Sequence, residues 1–445
     1  MIKRLKDWSR LGASLVLLLA TAGLTACDVD EFFDVENPGR ILDEDLFTDQ
    51  GLGTLVTGAS AELSDYIDTH VFMVVRVTDE LAGSGSYYDT GLQRRGLLHP
   101  IDTDGYWEQP QEGRWAAETA IERIEQVRGP EEAADDSIYA RAYLLAGVSN
   151  NHLAENMCDL AYGVSERLPR DTAFSRALNQ FERAEQLANT SGAESLRLGA
   201  IAGQAQALVG MAWSGRASWS DAAAKAAQVP TDYKYVAFYH FGENENIMWN
   251  ETHERHEVSA WATPVQYLPE DNPRAPYTDC RVGNRCDNDI GADGQTPMLR
   301  QEKYDDRGSD ITILSGVEAR MIQAEAALIA GNLGEFVGYL NDVREYFGIE
   351  EELAAPANQQ EGFDMLASEK FLNMWLEGNR LWDIHRWDTD DYTFTMYEGS
   401  SVRDFLYGGT VIYETDATRR ASCVPIGFTE CQANPNITCS TTIQY

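Results

Sequence analysis

The pattern that most limits how this chain can fold is a helical repeat of apolar residues that comes in separated blocks. Ala140, Tyr143, Leu144 and Gly147 fall on one face by the i, i+3, i+4, i+7 rule. Phe174, Ala177, Leu178, Phe181 and Ala184 repeat it, with Asp171 placed to cap that helix. Gly199 to Ala207 is rich in Gly and Ala, which lets a neighbouring helix come close, and Pro230 stops the block. A second block spans 313–347 with a break at Gly331-Asn332, and a third runs from Phe363 to about Trp387. Earlier helices are expected over 60–82 and 112–128, the latter ended by Gly129-Pro130. Such helices must bury their stripes against one another, so the fold is mainly α.

The interval 230–310 breaks the pattern. Pro230, Pro264, Pro269, Pro273, Pro276 and Pro297 stand among many Asn, Asp and Gly, which predicts irregular structure with short strands at 235–241 and 265–268. Its scattered aromatics argue against disorder. The helical blocks resemble tetratricopeptide (TPR) helix pairs, without a strict 34-residue period. The expected organisation is an address over 1–26 and one domain over 27–445. Helical parts lie at about 135–229 and 313–387, an irregular ligand-side lobe at about 83–110 and 230–310, and a tail at 388–445.

Charge excludes one class of partner. Lys and Arg total 35 against 72 Asp and Glu, a formal net charge of −37. Such a surface repels phosphate backbones, so nucleic-acid binding is ruled out.

The amino terminus reads as an export signal. Lys3, Arg4, Lys6 and Arg10 precede an apolar run from Leu11 to Leu24, too short for a spanning helix. Leu24-Thr25-Ala26-Cys27 resembles a lipobox, so cleavage before Cys27 and acylation of that residue are expected. Several acyl chains hold a protein stably on a bilayer. Acids at Asp28, Asp30 and Glu31 resemble a surface-export signal in one bacterial group and an inner-membrane retention signal in another, which leaves the face of the membrane open.

Six further cysteines in an oxidising compartment favour disulfides. Cys280 and Cys286 bracket the turn-like Arg-Val-Gly-Asn-Arg and form the expected pair; Cys158, Cys423, Cys431 and Cys439 allow three pairings. The spacings do not suit zinc. His253 and His256 lack the i, i+4 spacing of a zinc hydrolase helix, and neither a nucleophile elbow nor a phosphate loop is present. Asp287, Asp289 and Asp293-Gly294 resemble a calcium loop, but Arg300 stands where a bidentate Glu is required, so a solvated turn is expected over an irregular calcium site, and no other cofactor.

Four stretches in order behind the lipobox resemble the SusD/RagB family of outer-membrane nutrient-binding lipoproteins. Glu369, Glu377-Gly378, Arg380, Asp383, Arg386 and Trp387 match one motif, with Lys370 and Asn373 as departures. Arg320-Met-Ile-Gln-Ala-Glu-Ala326, followed by Asn341, Val343 and Arg344, matches a second. Pro425-Ile426, Glu430 and Asn434-Pro435 match the tail, with Gly427 replacing a proline, and Phe33-Asp34-Val-Glu-Asn-Pro38 fits the amino terminus. The three-residue spacing of Glu377, Arg380, Asp383 and Arg386 predicts a ladder of alternating charge on one helix, packed beside Trp375, Trp382 and Trp387. Its expected role is structural rather than catalytic.

The resemblance implies a SusD-like fold with no enzymatic activity. It also implies glycan or other oligomer capture at the cell surface, and delivery to a SusC-like TonB-dependent transporter. A periplasm-facing TPR-like scaffold for proteins and a tethered glycan hydrolase are the alternatives. The family motifs carry no ligand residues. The binding reading rests on aromatics in loops, because sugars stack flat C–H faces on Trp and Tyr rings. Tyr88, Trp107 and Trp249 are the expected platforms for a neutral glycan, while Trp115 and Trp213, on helical patterns, are expected in the core.

Overall fold

The computed structural model describes residues 47–94, 96–242, 244–387, 395–396, 400–401 and 421–438. The export signal, Cys27 and Cys439 lie outside them. From Thr48 onward the chain forms one compact unit.

Helix α1 (Leu52–Val77) opens it. Its last turns, Val71-Phe-Met-Val-Val, are buried on every side, so β-branched residues sit in a helix because packing outweighs their propensity. It stops at Thr78, whose hydroxyl and backbone N–H both donate to the Val74 carbonyl. Helices α2 (Asp104–Arg128), α3 (Ser137–Asn156), α4 (Asp171–Ser191), α5 (Glu194–Trp213) and α6 (Trp219–Ala226) follow. Asp136 caps α3 through the Ile138 N–H. Asp171 does not cap α4; it is the first helical residue, and the helix ends instead at Gly192 in the left-handed conformation.

The small residues of α5 are notches for rings. A Cβ on Gly203 would stand 2.3 Å from Phe181, and one on Gly210 would stand 2.3 Å from Phe174. A Cβ on Gly147 of α3 would also stand 2.6 Å from the Phe181 ring. Helices α3 and α5 therefore both close on phenylalanines of α4. The remaining helices are α7 (Gly316–Ile329), α8 (Leu333–Tyr346), α9 (Gln359–Asn373), α10 (Arg380–Trp387) and α11 (Phe428–Ala433).

The irregular lobe is built mainly from the segment between α6 and α7, joined by the loop after α1. Its strands are β1 (Ala82–Gly83) in that loop, then β2 (Lys234–Ala237), β3 (Val258–Ser259), β4 (Tyr277–Asp279), β5 (Leu299–Gln301) and β6 (Ile311–Ser315). They pair antiparallel as β1–β3, β2–β6 and β4–β5. The strand expected over 235–241 ends at Ala237, and 264–267 is a 3-10 turn begun by Pro264 rather than a strand. Disulfides join Cys280 to Cys286 and Cys158 to Cys423. Cys431 is also disulfide-bonded.

The expected charge ladder is replaced by long-range pairs. Glu377 is not on the helix: Leu376 and Gly378 have φ of 60° and 84°, and the helix begins at Arg380. Arg380 makes a bidentate pair with Asp79, 2.7 Å from each oxygen. Glu377 pairs with Lys303 at 2.7 Å. Arg386 holds Glu325 at 2.5 and 2.9 Å and Asp383 at 2.9 Å, and the Trp387 indole also donates to Glu325. Lys370, the departure from the family motif, reaches Asp383 at 2.6 Å. Of the expected rungs, Asp383–Arg386 forms a direct ion pair. The motif clamps α10 to the segment just after α1, to α7 and to α9, and Glu369, Arg380, Asp383, Arg386 and Trp387 are buried while Glu377 is partly exposed.

Candidate functional site

The β1–β3 pairing lays the loop after α1 on the segment 247–260. Ser84 donates its N–H to the Glu257 carbonyl and its hydroxyl to the His256 carbonyl, and Ser86 donates both N–H and hydroxyl to the Glu257 carboxylate. Gly85 has no room for a Cβ, which would stand 1.7 Å from that carboxylate. Asp293 donates its N–H to the Ser84 carbonyl, so a third loop is sewn to the same surface.

At the loop tip Tyr88 is 84% exposed. Its neighbour Tyr87 donates to Glu251 at 3.4 Å and accepts from Arg255, which also pairs with Glu251 at 3.4 Å. Burial raises the Glu251 carboxyl above its ordinary range. Trp249 lies two residues before Glu251 on the same short helical turn, begun by Asn246, whose side chain accepts from the Trp249 N–H. The half-buried indole stacks on His253 with centroids 5.4 Å apart and planes 12° apart. The Arg307 guanidinium lies 4.6 Å from the Trp249 ring and 5.2 Å from the Phe241 ring, held by Glu245 and Glu254. His253 meets Glu302 at 3.4 Å. Burial alone would raise the Glu302 carboxyl, but hydrogen bonds with His253, Thr278 and Arg300 bring it down to about 2.

Tyr88 and Trp249 therefore flank the Tyr87–Glu251 hydrogen bond, on one lobe. Trp107 is a correction. It is 2% exposed on α2, which begins at Asp104 and runs through Pro110, so the residue is helical and not in a loop. Its ring packs in a cluster with Met73, Leu98, Leu381 and Ile426. The opposite error concerns Trp115 and Trp213, which are exposed. Phe241, 74% exposed, was hidden in the sequence by the strand pattern that ends early, and Arg307 carries no local signal of its contact with that ring.

The Asp287–Asp293 stretch folds as a turn in which Asp293 accepts from Gln295 and Thr296. No group of three or more His, Cys, Asp or Glu side chains among the described residues is placed to hold a metal ion. No helix among them is long and apolar enough to cross a membrane.

Residues 318–441 match the model of the SusD family. No curated protein sequence matches the chain. Among solved structures, a SusD superfamily protein from Bacteroides vulgatus is similar with a TM-score of 0.58 at 15% identity, covering 87% of this chain and 98% of its own. A SusD/RagB family protein from Bacteroides thetaiotaomicron has a TM-score of 0.62 at 13% identity, covering 85% and 94%. Surface glycan-binding protein A from the same organism, solved with laminarihexaose, has a TM-score of 0.60 at 14% identity, covering 88% and 99%. These likenesses establish the fold.

Proposed function

We propose, from the premise that this chain belongs to the SusD/RagB family, that it is a non-catalytic glycan receptor held on the outer membrane by a lipid at Cys27. It captures a neutral oligosaccharide on the loop surface around Tyr88 and Trp249 and passes it to a SusC-like TonB-dependent transporter. The observation that carries this reading is the exposed Tyr88 beside a braced aromatic turn. Rings fixed by neighbours lose little entropy when a sugar stacks on them. The surrounding Arg255, Glu251, Glu254 and Arg307 supply donors and acceptors for hydroxyl groups, as expected of a site with few polar anchors. The fold shared with a protein solved with laminarihexaose supports a glycan as ligand class. The buried state of the motif carboxylates Asp79, Glu325, Glu369 and Asp383 supports a structural role for them, since acid–base catalysis requires access for substrate and water.

Isothermal titration against a glycan panel that includes laminarihexaose tests the site. Tyr88→Ala and Trp249→Ala should each weaken binding of the panel ligand about tenfold, the range of losing one stacked ring. If both variants bind like the parent, the site lies elsewhere. For the anchor, Cys27→Ala should move the protein out of the membrane fraction, and unchanged recovery after a salt wash overturns it.

A further inference from the structure

Away from the loop lobe, a concavity lies between α2 and α11, closed at one end by the 161–163 turn, with a cavity volume of about 370 Å3. That lies within the range of small-molecule sites. One wall is Trp115, 64% exposed, with none of the ring contacts that brace Trp249 among the described residues. A large aromatic that faces a cleft instead of the core needs a partner more than a scattered surface residue does.

The other walls are acidic. Asp104, Glu108, Glu112 and Trp115 recur at helical spacing along one face of α2, and Glu430 of α11 faces them. The cation in the lining, Arg114, is taken by Glu118 at 2.5 Å, with its guanidinium over the Tyr162 ring. Glu108 and Glu112 are exposed and have no salt-bridge partner among the described residues. The acidity of this chain makes clustered carboxylates ordinary; carboxylates arrayed beside a free indole in a cleft are not.

The walls are built beforehand. Asp104 accepts from the Thr429 N–H at 2.9 Å and from its hydroxyl at 2.7 Å, which fixes the start of α11 against α2. The Asn434 amide donates to the Gly163 and Ser165 carbonyls, and Gln111 donates to the Ala161 carbonyl. The Cys158–Cys423 disulfide ties together the two segments that lead into these walls.

We propose that this cleft binds an organic cation, an ammonium group on a carbon skeleton, with its charge against the Trp115 ring and the carboxylates of Glu108, Glu112 and Glu430 around it. A neutral ligand would use the indole face and leave the acids uncompensated. An inorganic ion would use the acids and leave the indole bare. Only an organic cation is favoured by both, through the ring quadrupole and through opposite charge. The inference does not depend on the glycan reading of the loop lobe.

The probes are the fully deacetylated glucosamine tetramer and its N-acetylated counterpart, which share a skeleton and differ in charge. Titrated into the full protein at low salt, the amine tetramer should bind at least about tenfold more tightly than the acetylated one, and lose affinity as salt is added. Trp115→Ala should weaken it about tenfold without moving the melting temperature, since the ring is exposed. The double variant Glu108→Gln, Glu112→Gln keeps shape and removes charge, and should do the same. Equal binding of the two tetramers makes this a neutral sugar site and overturns the proposal. So does absence of binding. Amine binding that survives both variants means that the cation is held diffusely by the acidic surface, and overturns it as well.

Discussion

Trp107 sits two turns before Trp115 on α2, yet one is buried and the other faces a cleft. The difference is which side of the helix meets Met73 of α1, Leu381 of α10 and Ile426, and helical periodicity alone does not show that. Trp107→Ala should therefore cost about 3–5 kcal/mol of stability, as for buried aromatics, with ligand affinity changed only through the folded fraction. Chemical denaturation beside titration checks this; an unchanged midpoint with lost binding would return the residue to the ligand site. Glu318 gives a second residue-scale test. Burial raises its carboxyl from 4.5 to about 8, against the opposing pull of Lys370, while Gln206 and Asn379 donate to it. The native state thus holds a proton that the unfolded chain releases near 4.5, and stability from this group declines as pH rises from there to about 8. Glu318→Gln keeps the acceptor and removes the titration. Its melting temperature should gain on the parent between pH 5 and 8 and then hold a constant difference; a difference that does not change with pH would place the carboxyl in contact with water.

At the scale of elements, α5 was legible and its mate was not. The Gly and Ala run announced a close approach, and the rings that fill it, Phe174 and Phe181, appeared in the sequence only as members of a helical stripe. Gly203→Ala places a methyl 2.3 Å from Phe181, a ring that Gly147 of α3 also approaches closely, so the ring has little room to retreat. Overpacking of this kind costs about 1–3 kcal/mol, against a gain of roughly 0.5–1 kcal/mol from helix propensity. Net destabilisation in thermal melts is the expected result, and a stabilised variant would show that the ring moves freely. The family motif behaved the same way. Its charged residues were identified, but the inferred partners were local, because sequence shows the helical neighbour three residues away and not Asp79, which lies 301 positions from Arg380. The positive φ at Leu376 and Gly378 ends any helix before Arg380, so Glu377 turns to Lys303.

The molecule from Thr48 onward is closed by a bridge between Cys158 and Cys423, 265 residues apart. Such a crosslink restricts the unfolded chain, with a typical stabilisation of about 2–4 kcal/mol. Cys158→Ser with Cys423→Ser should lower the denaturant midpoint by that amount, and should also loosen the cleft under α11, read as faster amide exchange at 428–434; unchanged exchange there would mean that the Asp104 and Asn434 hydrogen bonds suffice alone. The sequence by itself determined the mainly helical class, the division into helical parts and a proline-rich lobe, the short Cys280–Cys286 bridge and the family motifs. Each of these rests on neighbours within a few turns of chain, where periodicity and turn chemistry act. Which aromatics face solvent, which of three cysteine pairings forms at Cys158, and where each motif arginine finds its carboxylate were decided only by the tertiary structure. Burial and ion pairing depend on segments hundreds of residues apart, and the same indole on the same helix is core or cleft wall according to what packs against it.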